Sequence, residues 1–598
     1  MGKLLSALVK ARPAGSDAIL RLLQDGRTLA IMVIVYIRYA LLYLWCFVIA
    51  KSVEVQDQHY WYEEARIALR RRLVEYDGKR PHARNVILLM GDGLGLVTLT
   101  ASRIFKGQKQ GKAGEGSHLA WEKFPAVALS KTYNLDAQIG ESSACATALL
   151  CGVKANFETV GLDGKAKFEN CYSSFSSRVE SLFDWAQQAG KSTGIVTNTR
   201  VTHATPAALY AHSASRYWED DGKVPPVARK SCKDITRQLI EDAPGRNINV
   251  LLGGGRRHWL PKVARDYEES SEEGRRLDGR NLIEDWIRDK KRRNIKAEFV
   301  WNKQQMDKVD SKRVDHLLGL FAYSHMDFEA DRDQKPTGDP SLADMTMKSL
   351  SILQKNPKGF VLFVESGRID HAHHYNNPYR ALNETLMLES ALVTALSLVD
   401  PAETLIVMTS DHSHVLTMGG LATPTGNPIL GTDTKVSDID GLPYSTLLYG
   451  NGPGYSNPRV IPSNITTSFD EQNAVHGAAV PRQWATHGGE DVPVYAQGPL
   501  ATTVFSGTVD QSYIPHGIAY IACLGEHSKR CLEGVDNYTF VKPVQACVSP
   551  VANVISTGGR DGVVLASSVM SDDTPTGSGR NFHINMICAV LLLWTHIL

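Results

Sequence analysis

Five short apolar runs, each broken off by polar residues, constrain this chain more than any other feature. They are NVILLM (85–90), GIVTN (194–198), INVLLG (248–253), GFVLFV (359–364) and TLIVMTS (404–410). Each is continuously apolar rather than alternating, which suits strands covered on both faces, as in a parallel sheet. Two of the stretches between them read as helices. SSRVESLFDWAQQAG (176–190) ends on a glycine, and PYRALNETLMLESALVTALSLV (378–399) opens on a proline, as helices do. Strand and helix in alternation predict an α/β fold, a mostly parallel central sheet with helices on both faces. Residues 415–482, rich in Gly, Pro, Asn and Thr, predict a loop-rich insertion. The charged region 262–316, with KKRR at 290–293, reads as a solvated helical face.

In open parallel sheets, ligands bind beyond the carboxyl ends of the strands. Here those ends carry metal-type residues. The first run leads into Asp92, the fourth into Glu365, Asp370, His371, His373 and His374, and the fifth into Asp411, His412 and His414. A late segment adds His487, Glu490 and Asp491. Asp370 and His374 are four apart, so on a helix they share a face and can hold one side of a zinc ion. One such cluster could be a set of satisfied polar residues. The same chemistry at successive strand ends is far harder to explain so. Imidazole with carboxylate suits zinc and an all-oxygen set suits magnesium, and paired cations are a standard answer to phosphoryl transfer. A nucleophile and a phosphate clamp are then needed. Glu141, Ser142 and Ser143 precede a helical stretch whose start favours an anion. Arg216, downstream of His203 and Thr205, could grip two phosphate oxygens. Gly190-Lys191-Ser192 lacks the upstream glycine of a phosphate loop, since Trp185 stands there.

The ends address the chain to a membrane. Residues 28–50 are apolar apart from Arg38 and follow Lys3, Lys10, Arg12, Arg21 and Arg27. Residues 1–52 thus read as a secretory signal or an uncleaved signal anchor. The terminal apolar tail 584–598 is too short to span comfortably. With the small polar stretch SDDTPTGSGR (571–580) it forms a glycolipid-anchor (GPI) signal over 571–598, with Ser571 as attachment residue. A domain of 53–570 on the outer membrane face is left. Cys46 and Cys588 lie in the apolar ends, which leaves seven cysteines for the folded part. Cys523 and Cys531 could close a small loop and Cys171 and Cys232 could form another bridge, but sequence does not fix the pairing. Asn383, Asn464 and Asn537 head glycosylation sequons. Lys plus Arg is 65 against 64 Asp plus Glu, so nothing electrostatic points to nucleic acid.

From about residue 55 to about residue 545 the chain resembles the animal membrane-bound alkaline phosphatases, through GDGLG, SSACATALLCGVKAN, TRVTHATPA, FVESGRIDHAHH, SDHSH, YGNGPGY and THGGED in that order. The resemblance implies an alkaline-phosphatase-like sheet with a crown insertion, and hydrolysis of phosphate monoesters through a phosphoserine. It makes Ser142 the nucleophile and Arg216 the phosphate clamp, positioned by residue 141. Asp370, His374 and His487 would hold one zinc ion, where water is activated. Asp92, Asp411 and His412 would hold a second. Asp92, Thr205 and Glu365 would hold magnesium, with His203 and His371 just outside the ligand shell. The family's disulfides correspond to Cys171–Cys232 and Cys523–Cys531, and its members are usually homodimers.

The chain departs from the family pattern in three places. Glu141 stands where the family has Asp, and Ser143 where it usually has Ala. The added methylene at Glu141 predicts a misplaced clamp and a lowered turnover, which Glu141→Asp would raise. Asp339 matches a calcium ligand of related animal enzymes, but Ala322 replaces an expected Glu, so calcium is expected to bind weakly or not at all. Phosphodiesterases and sulfatases of the same superfamily use other nucleophiles and lack a clamp of the Arg216 type. A surface glycoprotein that keeps the fold without the activity is favoured only by Glu141 and its neighbours.

Overall fold

Each of the five apolar runs forms a strand of one ten-stranded sheet. In chain order the strands are β1 (Asn85–Gly91), β2 (Ala126–Lys131), β3 (Ser192–Arg200), β4 (Val250–Gly254), β5 (Ala297–Val300), β6 (His316–Leu320), β7 (Phe360–Ser366), β8 (Thr404–Thr409), β9 (Val492–Gln497) and β10 (Gly507–Asp510). Across the sheet they run β10-β2-β9-β8-β1-β7-β3-β4-β6-β5. Only β9 lies antiparallel to its neighbours, β2 and β8. The computed structural model describes residues 56–73, 81–460 and 472–531. Both apolar ends, Ser571, Asn464 and Asn537 lie outside the described residues.

The continuous apolar runs are explained by burial on both sides. All seven residues of β1 are buried. Val86, Leu88 and Met90 enter one apolar layer, and Ile87 and Leu89 enter the other. The first layer is roofed by α1 (Gln58–Leu73), α3 (Ser142–Cys151) and α7 (Tyr513–Ala522). The second is roofed by α2 (Leu96–Lys109), α4 (Leu342–Leu353), α5 (Arg368–His374) and α6 (Pro378–Leu398). Each fully buried Val, Leu or Ile contributes about 1.5–3 kcal/mol, so a polar residue within these strands is affordable only at their ends. The loop-rich segment rises from the second side. There Leu416–Met418 pairs with Leu447–Tyr449 and Thr432–Val436 with Pro443–Ser445, anchored by Leu416, Leu447 and Tyr449 against Ile104 and Phe105 of α2 and Leu382 of α6.

Three sequence expectations are corrected. The helix expected over 176–190 is only Leu182–Gln188, because the Ser181 hydroxyl accepts from the amides of Phe183 and Asp184 while the Asp184 carboxylate accepts from the Ser181 amide. That reciprocal cap starts the helix late. The region 262–316 is not one solvated helical face. It holds the helix Leu282–Arg292, the strand β5 and a short helix, and ends on the first residue of β6. Part of its charge is internal: Arg276 is fully buried between Asp234 (3.0 Å) and Asp278 (2.5 Å), and the Lys290 ammonium donates to the Arg246 carbonyl at 2.5 Å. Asn383 is no glycan acceptor in this fold. It sits inside α6, 6% exposed, where its side-chain amide is covered by its neighbours.

Cys171 is joined to Cys232, and Cys523 to Cys531, each pair with Cα atoms 6.0 Å apart, within the ordinary span of a disulfide. Cys145 and Cys151 are buried free thiols. Among the described residues no helix is long and apolar enough to cross a membrane.

Candidate metal centre and active site

The strands β1, β7, β3 and β8 stop on one side of the sheet, and their continuations supply the site. β7 ends at Ser366 and the chain turns directly into α5, whose single face carries Asp370 and His374. β8 gives way to Asp411 and His412. The next two residues, Ser413–His414, pair antiparallel with His487–Gly488, opposing His414 to His487. This small ladder brings a residue from far along the chain into the cluster.

Two groups of ligating side chains result. In the first, Asp370 Oδ2 lies 3.2 Å from His374 Nε2, and Asp370 Oδ1 lies 3.4 Å from His487 Nε2 and 2.6 Å from His414 Nε2. In the second, His412 Nε2 lies 3.5 Å from Asp92 Oδ1 and 3.2 Å from Asp411 Oδ2. The two groups adjoin: the His412 and His487 rings stack at 3.6 Å, and Asp370 is close enough to share the second group with Asp92 and His412.

The electrostatics call for cations. Asp92, Glu365, Asp370 and Asp411 are all buried. Burial, reinforced by Asp411, Asp370 and Glu365, pushes the Asp92 carboxyl well above its ordinary range, and burial lifts Glu365 to about 7. Burial opposes ionisation of Asp370 too, but His374, His414 and His487 hold it well below the usual carboxylate range. Burial takes His412 down to about 4, leaving a neutral imidazole able to ligate. Asp92 Oδ2, Asp411 Oδ2, Glu365 Oε1 and Thr205 Oγ1 are buried without a hydrogen-bond partner. Buried carboxylate oxygens left bare are costly, and a bound cation removes that cost. Asp92, Thr205 and Glu365 offer oxygen only, a donor set for a hard ion such as magnesium. The two His-containing groups fit zinc. The residues present therefore fit a multi-metal centre.

Ser142 opens α3, capped by Glu141, whose carboxylate accepts from the amides of Ser143 and Ala144. Ser142 Oγ lies 3.1 Å from His412 Nε2 and 3.5 Å from Asp92 Oδ1. Arg216 pairs with Glu141, and its Nη2 donates to His203 Nε2 at 3.2 Å. A third imidazole group, His203, His325 and His371, also has ring nitrogens within 4.8 Å of one another. Here each ring turns one nitrogen to a guanidinium: His203 to Arg216, His325 to Arg200 and His371 to Arg368. An arginine only donates, so these nitrogens act as acceptors. Burial and the same guanidiniums keep all three rings neutral.

Sequence reasoning missed His325, and it named His414 only as a metal-type residue at a strand end, without its place beside Asp370. His414 stood in view as the second histidine of SDHSH, but its 2.6 Å contact with Asp370 depends on the ladder with His487. His325 follows β6, and nothing local in its surroundings points to the site. Asp339, set beside calcium in the sequence comparison, is buried with Oδ1 unpartnered, and burial with Glu268 and Asp327 lifts its carboxyl to about 7.

Cations held between buried carboxylates and imidazoles, next to a serine hydroxyl on a helix start, are the working parts of a metal-dependent phosphohydrolase. The family model for alkaline phosphatase matches residues 83–524, and the chain belongs to that family. It is 46% identical over 481 residues to the tissue-nonspecific alkaline phosphatase of Gallus gallus, covering 80% of this chain and 91% of that protein. It is 44% identical to the Homo sapiens counterpart, covering 80% and 90%. It is 39% identical to a membrane-bound alkaline phosphatase of Bombyx mori, covering 81% and 88%. Among solved structures, the Thermus thermophilus alkaline phosphatase superposes with a TM-score of 0.52 at 23% identity, covering 74% of this chain and 91% of that one, which bears out the fold. The chain is accordingly a phosphomonoesterase that works by the alkaline-phosphatase mechanism at a multi-metal site.

Proposed function

We propose that Ser142 attacks phosphorus and carries the phosphoryl group between two in-line displacements. The observation behind this reading is the position of Ser142 Oγ, on the first residue of α3 and 3.1 Å from His412 Nε2. Asp370, His374 and His487 would hold one zinc ion, Asp92, Asp411 and His412 a second, and Asp92, Thr205 and Glu365 a magnesium ion. When bound, these ions supply charge for the transferring oxygens and lower the pKa of the attacking hydroxyl and water. Arg216 grips two phosphate oxygens as a fork, and the amide end of α3 favours the same anion. In the first displacement the Oγ–P bond forms and the alcohol departs. In the second, water displaces Oγ, phosphate leaves and the serine is restored. Elemental analysis of the purified protein tests the metal assignment, with two zinc and one magnesium per chain as the expected content; a full complement of activity with no zinc would overturn it.

We read calcium as a poor occupant of the Asp339 neighbourhood, because Arg256 already donates to Asp266 at 2.7 Å and to Glu268 at 2.8 Å. The chain would act on phosphomonoesters as a homodimer on the extracellular face, entering the secretory route through 1–52 and held by a glycolipid at Ser571, with nucleic acid no partner. Phosphatidylinositol-specific phospholipase is expected to release it from intact cells. Recovery of residues 582–598 in the mature protein by peptide mapping contradicts that anchor.

A further inference from the structure

Glu141 is an unusual helix cap. Short side chains are preferred there because they reach the first free amides without folding back, and Glu141 carries one methylene more than aspartate. Its carboxylate is nevertheless fully engaged. Oε1 accepts from the Ser143 amide at 2.9 Å and from Arg216. Oε2 accepts from the Ser143 hydroxyl at 2.7 Å, the Glu158 amide at 2.9 Å and the Ala144 amide at 3.3 Å. Burial alone would raise this carboxyl, and Arg216 with the Ser143 and Glu158 amides holds it below its ordinary value.

Two of these donors tie the acid to the clamp. Glu158 adopts a φ of 60°, the left-handed region that side chains other than glycine rarely occupy. In that conformation its amide faces Glu141 while its carbonyl accepts the Arg216 amide at 2.9 Å, and its carboxylate accepts the Tyr217 hydroxyl. Ser143 is different in kind. It is fully buried, and its hydroxyl meets Oε2 on the same oxygen that the Ala144 and Glu158 amides approach. A methyl group at position 143 would leave that approach without its side-chain donor.

We propose that Ser143 is a positioning residue for phosphate binding: its hydroxyl fixes the longer Glu141 carboxylate so that the carboxylate in turn aims the Arg216 guanidinium. Residues 141 and 143 then form a matched pair, glutamate with serine, in which each requires the other. The sequence expectation that Glu141 merely misplaces the clamp is thereby replaced, and Glu141→Asp alone is expected to weaken the enzyme. This inference rests on the phosphomonoesterase reading of the site.

A double-mutant cycle on the full-length, metal-loaded protein tests it, using kcat/KM for p-nitrophenyl phosphate and competitive inhibition by inorganic phosphate. Hydrogen bonds to a charged group are strong enough that Ser143→Ala is expected to cost about tenfold in kcat/KM and in phosphate affinity. Glu141→Asp is expected to cost a similar factor. The double variant is expected to recover to within about threefold of wild type, since the shorter acid does not need the hydroxyl. Zinc content, measured on each variant, is expected to stay constant, which separates positioning from loss of the metal centre. Independent effects, with the double variant about a hundredfold down, would overturn the proposal, as would a Ser143→Ala protein that binds phosphate like wild type. Should wild type itself neither hydrolyse the ester nor bind phosphate, the phosphomonoesterase reading would fall, and not the pairing alone.

Discussion

Stripping the protein with a strong chelator is expected to lower phosphatase activity by at least about 1000-fold, equivalent to about 4 kcal/mol of transition-state stabilisation. Adding zinc and magnesium together is expected to restore it. The expectation follows from four buried carboxylates, Asp92, Glu365, Asp370 and Asp411, packed around the ends of β1, β7 and β8. Without cations Glu365 titrates at about 7 and Asp92 is raised well above its usual range, so near neutrality the bare site either takes up protons or carries unscreened charge. Metal return is therefore expected to release protons, measurable in weakly buffered solution at pH 7. The sign follows from the raised values: a carboxyl that is partly protonated in the bare protein loses that proton when it ligates. Full activity in protein shown to be free of metal contradicts the site.

Replacing the nucleophile has the second large effect. Ser142→Ala is expected to reduce kcat by on the order of 10³-fold or more, since losing a covalent nucleophile removes the first displacement altogether. Binding of inorganic phosphate should survive, because Arg216, its partner Glu141 and the metal ligands are untouched. Calorimetric titration with phosphate separates the two outcomes. A variant that neither turns over nor binds phosphate would point to a collapsed helix start, whereas a variant that still turns over at the wild-type rate would remove Ser142 from the chemistry.

The sheet was legible because burial on both faces leaves a direct mark: a run such as NVILLM has no polar position to spare. The candidate metal ligands stood out in the sequence for a related reason. A polar residue placed at the end of such a run leaves the apolar layers where several chain segments meet, so Asp92, Glu365 and Asp411 declare themselves together. The boundary of the helix after residue 176 was not legible, since the Ser181–Asp184 cap competes with an equally helical upstream segment. The charge in 262–316 misled because composition does not say which arginines are paired inside. Arg276 is buried because Asp234, forty-two residues earlier, is there to meet it. Asn383 misled because a sequon carries no record of which helix face it falls on. His325 joins the site through long-range pairing that no local pattern carries, and His414, visible at its strand end, meets Asp370 only because of the ladder with His487. The Glu141 departure was visible, but the contacts around it were not, because the Glu158 amide that completes them comes from seventeen residues away.

The covalent step is the centre of this account, and one measurement meets it directly. The wild-type protein is mixed with a phosphomonoester, quenched in acid and digested, and the phosphorylated residue is located by mass spectrometry. The phosphoryl group is expected on Ser142, at the position 3.1 Å from His412 Nε2, and absent from the Ser142→Ala protein. Phosphate mapped to Ser143, or turnover with no phosphorylated residue in the quenched wild type, would contradict it.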